Sequence, residues 1–275
     1  MNDRKSKQVQ EALIEWAVAA LGRWAGEDEA SAPAWLSNYV KVISHSEPNQ
    51  PASARSKLRS IFSLVQPPDG QQVEASDLSP RPLSLQTLLP NDEASPAMPA
   101  ELWEQFSKEV ANLDDNPYHF ESFCHLFFKY AWAVPCTYGA PGVSLYQEFK
   151  MLAALLQASG GSETPASNLR LVGGDIPGIQ SFVYTITSKG AAKGLRGRSF
   201  FLQILGDAVV RRLVADLGLC PANVIYAAGG NFMLLAPDDA STKEIVHKAR
   251  RRVNELLLDA FQGDMALVLE SAAIQ

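Results

Sequence analysis

The chain has 275 residues, a formal net charge of −6, a hydrophobic fraction of 47% and a mean hydropathy of −0.06. These values are typical of a globular protein with room for two modest domains. No run of eighteen apolar residues occurs and the first ten residues contain no apolar signal core, so we expect a cytoplasmic protein without a membrane partner. The scattered cysteines Cys124, Cys136 and Cys220 form no C-x-x-C pair, which argues against a zinc site.

The charge is divided unevenly along the chain. Residues 166–275 contain 12 Lys and Arg against 10 Asp and Glu, whereas the preceding residues contain 12 against 20. Any contact with nucleic acid is therefore expected to be local. One candidate is the basic run at His247–Arg252, although a solvated helix face is an equally good interpretation of that run.

The first part of the chain has the apolar spacing of helices and the composition of long loops. Helices are predicted at 8–25, 34–44, 100–113, 118–133 and 144–159, and loops at 46–56 and 66–99. The segment Gly160–Ser167 has linker composition, so we predict an all-α domain at 1–165, with a loop-rich insert at 66–99, and a second domain at 166–275.

The second part alternates between strand and helix patterns. Strands are predicted at 169–187 (with a glycine break), 223–228, 232–236 and 265–270, and helices at 197–217 and from Ser241 onward. Ser241 and Glu244 have the spacing of a capping box. The resulting order βαββαβ is that of the ferredoxin-like split βαβ unit, and the whole chain is predicted to be of the α+β class.

A glycine-punctuated basic segment follows the first of these strands. Gly174 and Gly178 open the backbone, and the segment then carries Lys189, Lys193, Arg196 and Arg198 before the predicted helix. Backbone N–H groups, a helix start and cations together favour binding of a nucleotide or RNA phosphate. A solvated basic loop is the alternative. Asp175 lies at the glycine break and is included in the candidate site, although capping of backbone N–H groups in the turn explains it as well.

Three segments occur in an order that resembles one family. They are GDIPGIQSFVY at Gly174–Tyr184, SKGAAKGLRGRSFFLQIL at Ser188–Leu205 and NVIYAAGGNFMLLAP at Asn223–Pro237. With them the chain resembles the large subunit of type III CRISPR effector complexes, the Palm-domain protein that makes cyclic oligoadenylate. The resemblance implies a Palm domain at 166–275, preceded by a histidine–aspartate (HD) nuclease-like domain.

The position that would carry cyclase chemistry differs from the family pattern. In the family, a GGDD turn in a second Palm domain holds Mg²⁺ for nucleotide chemistry. Here the corresponding turn is Gly229-Gly230-Asn231-Phe232, and the neutral amide of Asn231 replaces a metal-binding carboxylate. We expect no cofactor in this chain by itself, and ATP with Mg²⁺ only if a second, GGDD-bearing Palm domain accompanies it.

The HD nuclease signature is also altered. When the family's L-L-H-D-I-G-K pattern is aligned with Ala17–Trp24, the His-Asp doublet falls on Ala19 and Ala20. A later family histidine falls on Glu148, with Gln147 where an aspartate would stand. An alanine methyl cannot ligate a metal, so the resemblance implies a degenerate HD domain with no metal and no catalytic residues.

The resemblance gives two hypotheses of function. The first is an architectural, nucleic-acid- or nucleotide-binding large subunit of a type III CRISPR antiviral complex, without nuclease or cyclase motifs in this chain. Its partners would be the crRNA 5′ region, other effector subunits, especially the subunit that caps the crRNA 5′ end, and the target RNA indirectly. The alternative is the N-terminal half of an active cyclic oligoadenylate synthetase, whose catalytic second Palm domain lies on missing sequence or on another chain.

Overall fold

The N-terminal unit is mainly helical. The computed structural model describes residues 3–27, 32–44, 58–60, 77–85, 87, 98–137, 142–166, 168–184 and 191–274. The elements of the first part are α1 (Asp3–Ala25), a 3-10 turn (Ala34–Leu36), α2 (Ser37–Ser44), β1 (Leu58–Arg59), β2 (Asp77–Leu78), α3 (Pro99–Ala111), α4 (His119–Ala131) and α5 (Leu145–Ala158). The predicted helices of this part agree with these elements to within a few residues, apart from the start of α1. The predicted loop at 46–56 and most of that at 66–99 lie outside the described residues.

Aromatic side chains form the centre of this helical unit. Phe123, Phe127 and Tyr130 lie on one face of α4 because they recur at helical spacing, and all three are buried. Phe106 of α3 contacts each of them at ring-centroid distances of 5.6 to 6.4 Å. Cys136 is a buried free thiol in the same unit, and Cys124 is half-buried.

The C-terminal unit combines an antiparallel sheet with helices, so the chain is of the α+β class. Its elements are β3 (Leu169–Asp175), α6 (Ile179–Tyr184), α7 (Ala191–Asp216), a 3-10 turn (Pro221–Asn223), β4 (Val224–Ala228), β5 (Asn231–Pro237), α8 (Ala240–Phe261) and β6 (Val268–Ile274). The strands lie in the order β4-β5-β3-β6, and each neighbouring pair is antiparallel. None of the described helices is long and apolar enough to cross a membrane.

Both faces of the sheet are packed. Val172, Phe232 and Leu234 lie in a core shared with residues of α6, α7 and α8. Leu235 lies in a second cluster with Ala154 and Ala158 from the end of α5. Contacts accordingly divide the chain into Asn2–Leu152 and Ala153–Gln275, so the last turns of α5 group with the sheet. The division at 165/166 from composition stays a prediction.

The first predicted strand is shorter than the sequence pattern indicated. β3 ends at Asp175, and residues 179–184 form the helix α6 instead of continuing the strand. Pro177 and Gly178 turn the chain, and the φ of Gly178 is +87°. Ile179, Phe182 and Val183 then have i, i+3, i+4 spacing, which presents them together to the core as a helix.

Two helix starts were also predicted too late, and one strand start was predicted too early. α7 begins at Ala191 and not at 197, so Lys193, Arg196 and Arg198 lie on a helix and not in a loop. The N-cap of α8 is Asp239, whose carboxylate accepts the N–H of Thr242 at 2.7 Å; the predicted cap at Ser241 was wrong because an aspartate two residues earlier fulfils that role. The last strand, predicted from Met265, begins at Val268.

Candidate functional site

The end of β3 and the β4–β5 turn bring two predicted site residues together. Asp175 lies directly opposite Asn231 in the antiparallel β3–β5 ladder, so their side chains share one face of the sheet. The N–H of Ile176 donates to the carbonyl of Gly230 at 3.1 Å and fixes the turn against the end of β3. The pair therefore consists of one carboxylate and one amide.

The glycines around this pair are required by close packing. A Cβ at Gly174 would lie 2.0 Å from the Phe232 ring, and one at Gly178 would lie 2.6 Å from the backbone oxygen of Asp264. Gly230 has a φ of +88°, and a Cβ there would meet Ile179 at 2.2 Å. The chain's own atoms thus explain why these positions lack side chains. A role for Gly174 and Gly178 in approaching an anion stays a prediction.

A groove opens between α7 and the β4–β5 hairpin. Its volume is about 470 Å³, within the range of small-molecule sites. Polar groups in its wall come from Ser199, Gln203, Asp207 and Asn231. Its apolar wall is formed by Ile179, Val183, Leu202, Val210 and Phe232. Sequence reasoning missed Ser199, Gln203 and Asp207, although their spacing of four residues along one helix face is a signal that could have identified them.

The predicted cations do not act as one cluster. Arg196 is exposed and lies one turn before the groove residue Ser199 on α7, and Lys193 is exposed one turn earlier. Arg198 has a different environment, because its guanidinium donates to the carbonyl of Phe182 and lies 5.1 Å from the centre of that ring. Arg198 therefore joins α7 to α6. Lys189 lies outside the described residues.

Most of the basic run on α8 is paired with acids of the same unit. Lys248 lies 3.1 Å from Glu244 and Arg251 lies 3.0 Å from Glu255, each one helical turn apart. Arg250 pairs with Glu270 of β6. These pairs favour the interpretation of the run as a solvated helix face over that of a nucleic-acid contact.

Three of the four positions aligned with the HD metal site are buried. Ala19 and Ala20 lie in the core on α1. Glu148 is fully buried on α5, and its carboxylate accepts the N–H of Thr137 at 2.7 Å and the hydroxyl of Thr137 at 2.5 Å. Burial raises the pKa of Glu148 above its ordinary value, while the Thr137 hydrogen bonds and the charge of Arg23 oppose that rise.

Gln147 and the residue types that bind metals are the remaining features of the described chain. Gln147, at the other altered position, forms a capping box with Ser144: the N–H of Ser144 donates to Gln147 Oε1 at 2.8 Å, and the N–H of Gln147 donates to Ser144 Oγ at 3.2 Å. Among the residues that the structure describes, no three His, Cys, Asp or Glu side chains are grouped as a metal site would need.

Comparison with known proteins identifies proteins that are similar to this chain. Residues 168–275 match the family model described as Csm1 subunit domain B. The chain is 33% identical over 139 residues to the CRISPR system single-strand-specific deoxyribonuclease Cas10/Csm1 (subtype III-A) of Thermococcus onnurineus, covering 46% of this chain and 18% of that protein. The protein of the same description from Methanocaldococcus jannaschii is 23% identical over 317 residues, covering 100% of this chain and 38% of its own length.

Solved structures of Csm1 also resemble this fold. Csm1 of T. onnurineus superposes with a TM-score of 0.54 at 28% identity, covering 64% of this chain and 26% of that chain. A Csm1–Csm4 cassette in complex with AMPPNP gives a TM-score of 0.58 at 26% identity, covering 71% and 28%. The chain thus spans well under half the length of these relatives.

These matches confirm the resemblance that the three sequence segments indicated. The chain is similar to the large Palm-domain subunit of type III CRISPR effector complexes. More particularly, it is similar to the Palm-domain part of Cas10/Csm1 of subtype III-A.

Proposed function

We propose that this chain is an architectural and nucleotide-binding part of the large subunit of a type III CRISPR effector complex. It consists of a degenerate HD-like helical domain followed by a ferredoxin-like Palm domain. The strand order β4-β5-β3-β6, with helices connecting β3 to β4 and β5 to β6, supports the second assignment because it is the order of that fold. The chain acts in the cytoplasm.

The observation that carries the proposal is the Asp175–Asn231 pair. Palm-domain chemistry places carboxylates at the hairpin turn and on the adjacent strand so that they hold two Mg²⁺ ions. In this chain the turn contributes an amide opposite Asp175. One carboxylate and one amide make a poor Mg²⁺ site, so this Palm domain binds a nucleotide without catalysing its reaction.

The groove beside the turn is the proposed nucleotide site. Its apolar wall suits a purine base, and Gln203, Asp207 and Asn231 can form hydrogen bonds with base or sugar. Arg196 and Lys193 lie one and two turns before the groove on the same helix, where they can meet phosphates. A Csm1–Csm4 cassette of 26% identity has been solved in complex with AMPPNP, which supports nucleotide binding as a function of this chain.

The helical domain is proposed to lack nuclease activity. Buried alanines stand at the two doublet positions, and Glu148 is committed to hydrogen bonds with Thr137. We therefore expect no metal-dependent cleavage of single-stranded DNA by the chain. Manganese-stimulated cleavage that survives purification and is removed by mutation of this domain would contradict the proposal.

Binding of AMPPNP tests the nucleotide site. Gly206 lines the groove and a Cβ there meets nothing within 4 Å, so Gly206→Leu should fill the groove without disturbing the fold. Gly197→Leu is the matched control, since Gly197 is also on α7 with open space but does not line the groove. Calorimetry should show AMPPNP binding to the wild type and to Gly197→Leu but not to Gly206→Leu. Equal binding by all three would overturn the assignment.

The alternative function is the N-terminal half of an active cyclic oligoadenylate synthetase. The exposed apolar residues Phe200 and Ile204 of α7, with Ile225 and Tyr226 of the edge strand β4, favour it because they could pack against a second Palm domain. Mass spectrometry of the products formed from ATP in the presence of Mg²⁺ distinguishes the proposed function from this alternative. The isolated chain should make no oligoadenylate, and product that appears only when a GGDD-bearing Palm domain is added would support the alternative.

Partnership with other effector subunits is tested by assembly. The solved relatives include Csm1–Csm4 complexes, which supports a Csm4-type neighbour for this chain; the crRNA 5′ region would be bound beside it, and the target RNA would be contacted indirectly. Co-expression with the Csm4-type subunit and crRNA should give one complex on size-exclusion chromatography. Separate elution of the two proteins at micromolar concentration would contradict the proposed partnership.

A further inference from the structure

The short helix α6 forms part of the apolar wall of the nucleotide groove. Ile179 and Val183 are one turn apart on this helix, and both line the groove. The helix has only six residues, and a helix of that length is not stable in water without packing. The shape of the groove therefore depends on contacts that hold α6 from outside.

Arg198 of α7 provides such a contact near the C-terminal end of α6. Its guanidinium donates to the carbonyl of Phe182, which is one of the last four carbonyls of the helix and so has no acceptor role within the helix itself. The same guanidinium lies 5.1 Å from the centre of the Phe182 ring, which adds a cation–π attraction. Arg198 thus contacts both the backbone and the side chain of one residue of α6.

Two further rings contact Phe182. Its ring centre lies 6.0 Å from that of Phe201 on α7 and 5.5 Å from that of Phe261 at the end of α8. Phe201 and Phe261 are themselves 5.5 Å apart. Phe182 is therefore the residue through which α6 is attached to both long helices, and Arg198 is the charged part of that attachment.

The position of Arg198 differs from that of a residue which meets the ligand directly. Arg198 is not one of the residues that line the groove, although its neighbour Ser199 is. Arg196 is exposed one turn before Ser199, where it can meet phosphates. The guanidinium of Arg198 is instead half-buried and engaged by Phe182.

We propose that Arg198 is a positioning residue of the nucleotide groove. It holds α6 so that Ile179 and Val183 form the wall against the base, and it does not contact the phosphates. The inference rests on the nucleotide site proposed above. It requires that loss of Arg198 weaken every ligand that carries the base by the same factor, with or without phosphates.

The experiment compares adenosine and AMPPNP as ligands of the full chain by calorimetry, at about 0.3 M salt to screen charges that do not touch the ligand. Arg198→Met removes the charge and keeps the length of the side chain, and it should weaken both ligands about tenfold. Arg198→Lys keeps a cation without the flat guanidinium, so it should weaken both by a smaller equal factor, about threefold.

Two other arginines of α7 serve as controls. Arg196→Met should weaken AMPPNP and leave adenosine unchanged, as expected for a phosphate contact. Arg211→Met should change neither, because Arg211 is exposed on the same helix and does not line the groove. Urea unfolding checks that each variant is folded under the conditions of the binding measurement, and Arg198→Lys decides the question if Arg198→Met does not fold.

Equal weakening of adenosine and AMPPNP in the Arg198 variants, beside an AMPPNP-specific loss in Arg196→Met, supports the proposal. A loss confined to AMPPNP would make Arg198 a phosphate ligand and would overturn it. An unchanged affinity for both ligands, with a lower unfolding midpoint, would overturn it as well, since the contacts with Phe182 would then serve stability alone. If the wild type binds neither ligand, the nucleotide site itself is wrong, and this inference is overturned with it.

Discussion

At the scale of single residues, two glycines of the motif segments are explained by what occupies the space beside them. The Phe232 ring fills the position of a side chain at Gly174, and the backbone of Asp264 fills that at Gly178. Both contacts join segments far apart in the chain, so they could not be seen in the local pattern. The same pattern is therefore compatible with an anion site and with tight packing, and only packing is visible in the contacts.

The first prediction concerns Gly174. Gly174→Ala should lower the free energy of unfolding by about 1–3 kcal/mol, because the new methyl would overlap the Phe232 ring. Gly173→Ala is the matched control, since its Cβ meets nothing within 4 Å on the same strand. Urea unfolding measures both, and Phe232→Leu should partly restore Gly174→Ala. Equal midpoints for the two alanine variants would contradict the packing explanation.

The second prediction concerns pH and Glu148. Burial raises the pKa of Glu148, so the folded chain holds this proton more tightly than the unfolded chain. The resulting stabilisation is complete below the ordinary pKa and is lost as pH rises through the raised pKa of the folded state. Glu148→Gln keeps the shape without titrating. The wild type should therefore lose stability relative to Glu148→Gln as the pH rises from the ordinary pKa of a glutamate through the raised pKa of the folded state.

Thermal unfolding across this range measures the difference between the two proteins. The exposed Glu11→Gln serves as the control, with a difference from the wild type that should stay nearly constant. A constant difference for Glu148→Gln as well would show that the buried carboxyl does not set the pH dependence.

At the scale of elements, the sequence predicted which segments are helices and strands better than where they begin. Local signals compete at boundaries: Asp239 and Ser241 are both good caps, and the fold uses Asp239. The basic segment before residue 197 was predicted to be a loop, yet α7 already begins at Ala191, because the helix that follows is long and packs on the sheet. The spacing of Ser199, Gln203 and Asp207 places them on one face of α7, but the sequence did not indicate that the β4–β5 hairpin lies beside that face.

The third prediction tests the cap of α8. Asp239→Ala removes the acceptor for the Thr242 N–H and should lower the free energy of unfolding by about 1 kcal/mol. Ser241→Ala, two residues later and inside the helix, should change it much less. Urea midpoints of the two variants measured in parallel give the comparison. A larger loss of unfolding free energy for Ser241→Ala than for Asp239→Ala would support Ser241 as the N-cap, as the sequence predicted.

At the scale of the whole molecule, the end of α5 belongs with the sheet and not with the helices that precede it. Ala154 and Ala158 cover Leu235 on the sheet face opposite the core of α6–α8. The amide of the fully buried Asn223 donates to the carbonyls of Ala154 and Leu235, at 3.0 Å and 2.9 Å. Composition at Gly160–Ser167 indicates a linker, but composition carries no information about these contacts.

The last prediction compares two fragments that differ in this helix. Residues 145–275 include all of α5, whereas 166–275 begin at the boundary predicted from composition. The shorter fragment exposes Leu235 and leaves one donor of Asn223 without its acceptor, so it should unfold at a lower urea concentration. Asn223→Ala should destabilise 145–275 more than 166–275. Only the longer fragment contains the Ala154 carbonyl, which accepts a hydrogen bond from the Asn223 side-chain amide. Equal midpoints for the two fragments, with equal effects of Asn223→Ala, would mean that the Palm-like unit does not need α5 and that the compositional boundary is the structural one.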